Sequence, residues 1–239
     1  MTRRSRIAAI AAAAFFGALL LFTILVFTVD VKPIGPIDPE NPHTNYSVGF
    51  AAMNAGFRDT IKTSAFCYTA FFILFILATL AALIPVALFV WQMIQAKDLK
   101  KVNYSIFLLA AFYVTVYVVM MLFLLLPLER RPVVEMNGKV RTSFPSPALM
   151  AVLCVFVTFP TVVRTLLGKW QGQLYVQVAC YALAVFSFFM SLFSGVHWLS
   201  DAMAAVLLAG TLVSAFYFIF FQLRAKRRAA RKRAAREMY

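Results

Sequence analysis

The chain has 239 residues, 63% of them hydrophobic and 13% charged, with a formal net charge of +14 and a mean hydropathy of +0.84. No soluble domain of this length has a core large enough to hide that much apolar surface, so a soluble globular protein is excluded and the solvent must be lipid. The excess of Lys and Arg is therefore read first against a membrane and only then against nucleic acid.

Six uncharged or nearly uncharged stretches reach the roughly 20 helical residues that a hydrocarbon core demands. In chain order they are 7–29, 64–91, 104–126, 148–167, 174–194 and 202–221. Phe, Leu, Ala and Val fill them without sustained two-residue alternation, so helices fit and barrel strands do not. The expected fold is an all-α integral membrane bundle of six transmembrane helices. Residues 1–63 form a signal-anchor helix with an outer loop, 64–221 a five-helix core, and 222–239 a basic tail. The first apolar run follows Arg3, Arg4 and Arg6 and is longer than a cleavable signal core, which predicts an uncleaved anchor.

Placing the N-terminus inside puts 16 of the 23 basic residues on the cytoplasmic side, among them all eight of the tail. Seven (Lys32, Arg58, Lys62, Arg130, Arg131, Lys139 and Arg141) fall outside. The positive-inside rule then predicts both termini in the cytoplasm of a multi-pass cell-membrane protein. The tail is expected along anionic headgroups, each basic residue there contributing on the order of 1 kcal/mol, and no nucleic-acid partner is expected. Cys67, Cys154 and Cys180 sit within apolar spans without ligand spacing, so inert thiols are expected, with no disulfide, metal or other cofactor. A transporter is disfavoured because no span carries a mid-membrane ionisable residue; Arg164 lies near an inner end.

The chemistry-bearing residues fall in two loops on the outer side. Between spans five and six, Gly195-Val196-His197-Trp198-Leu199-Ser200-Asp201 places an imidazole and a carboxylate four residues apart, one helical turn if a helix starts here. Between spans three and four, Arg130, Arg131, Lys139 and Arg141 precede Ser143-Phe144-Pro145-Ser146 at a helix start, a setting that suits anions. Ser146 either donates to a phosphate or caps the fourth span. Trp198 reads as an interfacial anchor, His43 as a loop residue, and Glu135 as a solvated acid that could serve as a proton donor only with a raised pKa.

This order of features resembles the type-2 phosphatidic acid phosphatases, relatives of the vanadium haloperoxidases, over about 128–210 and in the six-span layout. Members carry Lys-x6-Arg-Pro, then Pro-Ser-Gly-His, then Ser-Arg-x5-His-x3-Asp. Arg131-Pro132 matches the first block, with Leu124 in the lysine's place. Pro145-Ser146 opens the second, with Pro147 and Ala148 where glycine and histidine belong. His197 and Asp201 match the third, with Met190 and Ser191 at the Ser-Arg positions. The segments Val31-Lys32-Pro33-Ile34-Gly35-Pro36 and Ser47-Val48-Gly49-Phe50-Ala51-Ala52-Met53-Asn54 also resemble bacterial members.

The resemblance implies His197 as nucleophile, Asp201 as its orienter and Arg131 as a phosphate ligand, with Arg130, Lys139 and Arg141 as candidates to replace the missing cations. It implies a lipid phosphate or diphosphate as substrate, a polyprenyl or glycerolipid one. In the family the second-block histidine protonates the leaving group; with Ala148 in its place a diphosphate is expected to be favoured, because its leaving group needs no proton. A catalytically silent member that binds lipid phosphate, or assists an envelope enzyme, is the rival reading.

Overall fold

The chain is described by a computed structural model that covers residues 1–37, 43, 45–126, 128–134, 140–168 and 170–237, with side chains for all of these except 100 and 231–237. Seven α-helices span the described residues: α1 (Arg3–Thr28), α2 (Ala51–Thr60), α3 (Ala65–Ala96), α4 (Tyr104–Leu125), α5 (Pro147–Leu167), α6 (Gln173–Phe193) and α7 (Leu199–Glu237), with a 3-10 turn over Leu99–Lys101. Six of them are long and apolar enough to cross a membrane, in agreement with the six expected spans. The protein is a multi-pass membrane protein.

Local chemistry sets where the helices begin. Thr2, Ser64 and Asn103 accept bonds from the backbone N–H groups of Ser5, Cys67 and Ser105, closing the exposed first turns of α1, α3 and α4. Pro147 occupies the first turn of α5, where its missing N–H costs nothing. The ends of α3 and α5 turn at Lys97 and Gly168, both at positive φ.

α5 is the central helix. Of its most apolar 18-residue window 56% is buried, against 6% for α1. It touches α3, α4, α6 and α7, whereas α1 packs along α7 at the periphery. Hydroxyl pairs join the helices: Tyr117 donates to Thr79 at 2.7 Å, Thr158 to Tyr113 at 3.0 Å, and Thr161 meets Tyr217 at 3.0 Å. Such bonds average about 0.6 kcal/mol each in a membrane, so they set register more than stability.

Two features differ from the sequence expectation. The segment between α1 and α3 carries a helix, α2, too short and too mixed to give a span signal. Asp30 reaches across to its start and accepts the Ala52 N–H at 2.7 Å, doing the work that N-cap Phe50 has no side-chain atom to do. The basic tail, expected as a separate region from 222, continues α7 without a break. At 39 residues that helix is about 58 Å long, well beyond the ~30 Å hydrocarbon core.

Candidate active site

Chain alternation brings the α1–α2–α3 connection, the α4–α5 loop and the α6–α7 turn to one end of the bundle. The α4–α5 loop folds back on itself there: Arg131 N donates to Arg141 O at 3.0 Å and Ser143 N to Glu129 O at 2.7 Å. The α6–α7 turn is shaped by Gly195 at φ +70°, where a Cβ would lie 2.8 Å from Thr63 Cγ2 and 3.0 Å from Thr63 Cα. Only glycine allows this close approach, which seats the turn against the start of α3.

His197 lies in that turn, before α7 starts at Leu199, and is 7% exposed; Asp201 lies in the first turn of α7 and is fully buried. The two are not directly hydrogen-bonded, since His197 Nδ1 and Asp201 Oδ2 are 3.9 Å apart. Ser143 stands between them. Its Oγ lies 3.1 Å from His197 Nδ1 and donates to Asp201 Oδ2, while the Trp198 N–H donates to the same carboxylate oxygen at 2.8 Å. The carboxylate oxygen only accepts, so the serine proton goes to Asp201 and its lone pair accepts Nδ1–H. This assigns the Nδ1–H tautomer and leaves Nε2 with its lone pair available. Burial, then the nearby Arg131 charge, holds His197 well below the ordinary 6.5, which keeps it neutral.

His197 also lines a cavity of about 820 Å³ between the start of α3 and the two loops. Arg131, Arg141 and Ser194 share that cavity, and Tyr68, Phe71, Phe72 and Phe75 of α3 give it an apolar wall. Ala148, at the place of the second-block histidine in the resemblance, also lines it.

The other sequence candidates divide. Arg131 and Arg141 share the cavity with His197, and Arg131 Nε also bonds Thr142 O at 3.4 Å. Arg130 is engaged elsewhere: its Nη1 donates to Val140 O at 3.2 Å, its guanidinium stacks on Tyr46, and its carbonyl accepts Trp198 Nε1 at 2.7 Å. Trp198, read as an interfacial anchor, is 2% exposed and ties the two loops together. Ser146 is the N-cap residue of α5, yet its hydroxyl makes no cap bond and is buried without a partner; it is not in the cavity wall. Lys139 and Glu135 lie outside the described residues. Sequence reasoning missed Ser143, and it missed Glu129, 5% exposed, whose Oε1 accepts the Gly49 N–H at 2.7 Å. The signal available for both was their place in the loop that faces His197; no spacing marks them.

No family model matches the chain, and no curated protein sequence does. Among solved structures it is similar to a transmembrane PAP2-type phosphatidylglycerolphosphate phosphatase from Bacillus subtilis, with a TM-score of 0.55 and 14% identity, over 90% of this chain and 96% of that one. The chain has the fold of a PAP2-type membrane phosphatase, the type-2 phosphatidic acid phosphatase class.

Proposed function

We propose that this protein is a lipid phosphate phosphohydrolase that works at the extracytoplasmic face of the cell membrane, with both termini and its basic tail on the cytoplasmic side. The carrying observation is one cavity in which His197, Arg131 and Arg141 meet an apolar wall. The lipid's phosphate sits by the arginines, whose charge offsets that of the transferring group, and its hydrocarbon chain runs along the wall. His197 Nε2 attacks phosphorus, the bond to the leaving oxygen breaks, and that oxygen keeps the electron pair. Water then hydrolyses the phosphohistidine, freeing His197 and inorganic phosphate.

Ala148 offers no proton to the departing oxygen. A phosphate leaving from a diphosphate needs none, whereas an alkoxide leaving from a monoester does. General acid help is worth about 100-fold to 10,000-fold, so a polyprenyl diphosphate is expected to turn over at least about 100-fold faster than phosphatidic acid or phosphatidylglycerol phosphate, the lipid named for the similar Bacillus subtilis enzyme. Phosphate release from the three lipids in detergent tests this, and comparable rates would sink the preference.

Ser143→Ala breaks the hydrogen-bonded link from Asp201 to the His197 ring and leaves the buried Nδ1–H unpaired, a cost of about 1–3 kcal/mol. The expected result is a roughly 10-fold to 100-fold lower kcat with KM little changed, read from initial rates. An unchanged kcat would remove Ser143 from the machinery.

The rival reading, a silent lipid-phosphate binder, is favoured by Leu124, Ala148 and Ser191 at positions where the family has its lysine, its acid and its second arginine. Binding of these lipids with no phosphate release from any of them would establish it.

A further inference from the structure

Glu129 and Asp201 have a feature that the mechanism above does not use. Each carboxyl accepts N–H bonds through one oxygen, Glu129 Oε1 from Gly49 and Asp201 Oδ2 from Trp198. The other two oxygens, Glu129 Oε2 and Asp201 Oδ1, are buried and bond no donor. Ser143 brings the two residues together, its N–H donating to the Glu129 carbonyl at 2.7 Å and its Oγ to Asp201 Oδ2, and each carboxyl acts on the other's protonation. Two ionised carboxylates so placed repel, and two orphaned buried oxygens are costly. One proton between Oε2 and Oδ1 removes both problems.

We propose that Glu129 is a positioning residue of the site, sharing one proton with Asp201 so that the buried pair presents a single negative charge to His197 through Ser143. The inference rests on the reading of His197 as nucleophile. The charge count matches the chemistry: attack by Nε2 while Nδ1 keeps its proton makes the ring a phosphoimidazolium with one positive charge, which one negative charge balances. A doubly ionised pair would over-stabilise that cation and strain the buried site; a doubly protonated pair would leave it uncompensated. Burial, offset in part by the Gly49 N–H and by Asp201, raises Glu129 to about 7, in keeping with a held proton. The groups facing the pair are the Gly49 N–H from the segment before α2, the Ser143 hydroxyl from the α4–α5 loop, and His197 and the Trp198 N–H from the α6–α7 turn. Arg131 acts on His197 from beyond.

The test is infrared spectroscopy of the purified full chain in detergent, comparing wild type with Glu129→Gln. The glutamine keeps an acceptor for Gly49 and a donor for Asp201 but has no proton to lose. At about pH 6 exposed Asp and Glu side chains are ionised, so a protonated-carboxyl C=O band is expected in wild type, fading as pH rises to about 9 and absent from the variant. No band in wild type, or one that survives Glu129→Gln, overturns the proposal. If the variant fails to fold, the wild-type titration alone decides: a band that fades upholds the proposal, and one that is missing or does not titrate overturns it. A chain that shows the titrating band but releases no phosphate from any lipid would sink the phosphohydrolase reading and leave the shared proton standing.

Discussion

His197→Ala is expected to lower phosphate release by at least about 1,000-fold, or about 4 kcal/mol of barrier, because among the described residues that line the cavity with the arginines the others that could attack are hydroxyls, far weaker nucleophiles than a neutral imidazole. Ser194, one of these hydroxyls, donates its proton to Ser191 O at 2.6 Å. The loss belongs in kcat, since Arg131, Arg141 and the apolar wall still hold the lipid. A KM that rises while kcat is unchanged would instead make His197 a binding residue. The pH profile gives an independent check. An imidazole held below the ordinary 6.5 stays neutral as pH falls through that value, so the acid limb of kcat/KM is expected below pH 6.5. Arg131→Gln removes one of the two causes and should move that limb upward, while weakening phosphate binding as well.

The bundle was legible because each span is an apolar run of the required length with at most one charge, a signal that survives without any alignment. What escaped was set by contacts between distant segments. α2 is ten residues long and is started by a carboxylate 22 residues upstream, Asp30, which no local cap pattern reports. At the site, His197 and Asp201 were visible as a spaced pair, but their actual link runs through Ser143, 54 residues before the histidine. The tally of loop cations was equally blind to direction. Arg130 and Arg131 are neighbours in sequence, and the extended backbone between them sends one toward Tyr46 and the other toward the cavity. Loop charges acquire roles only when the loop's own pairing is known.

Gly49→Ala is expected to have the largest effect on stability, because the added Cβ would lie 1.6 Å from Val26 O and 2.7 Å from Val26 C. Both obstacles are backbone atoms of α1, and Val26 is fully buried, so neither side can yield as a flexible side chain would. Overpacking typically costs 1–3 kcal/mol, and a backbone clash this short belongs at or above the top of that range. For a chain of this size about 3 kcal/mol lowers the unfolding midpoint on the order of 10 °C, measurable by heating in detergent. The substitution also reaches the site. The Gly49 N–H bonds Glu129, its carbonyl accepts from Asn54 at 2.7 Å, and Asn54 in turn bonds Ser200 Oγ at 2.9 Å and accepts the Ser200 N–H at 3.2 Å. Gly49 thus joins α1 and α2 to the first turn of α7, which carries Asp201. Pushing it off α1 is expected to lower activity at temperatures where the protein is still folded, whereas Gly17→Ala, which meets nothing within 4 Å, should change neither. Equal midpoints for the two variants would mean that the α1 contact does not constrain this segment.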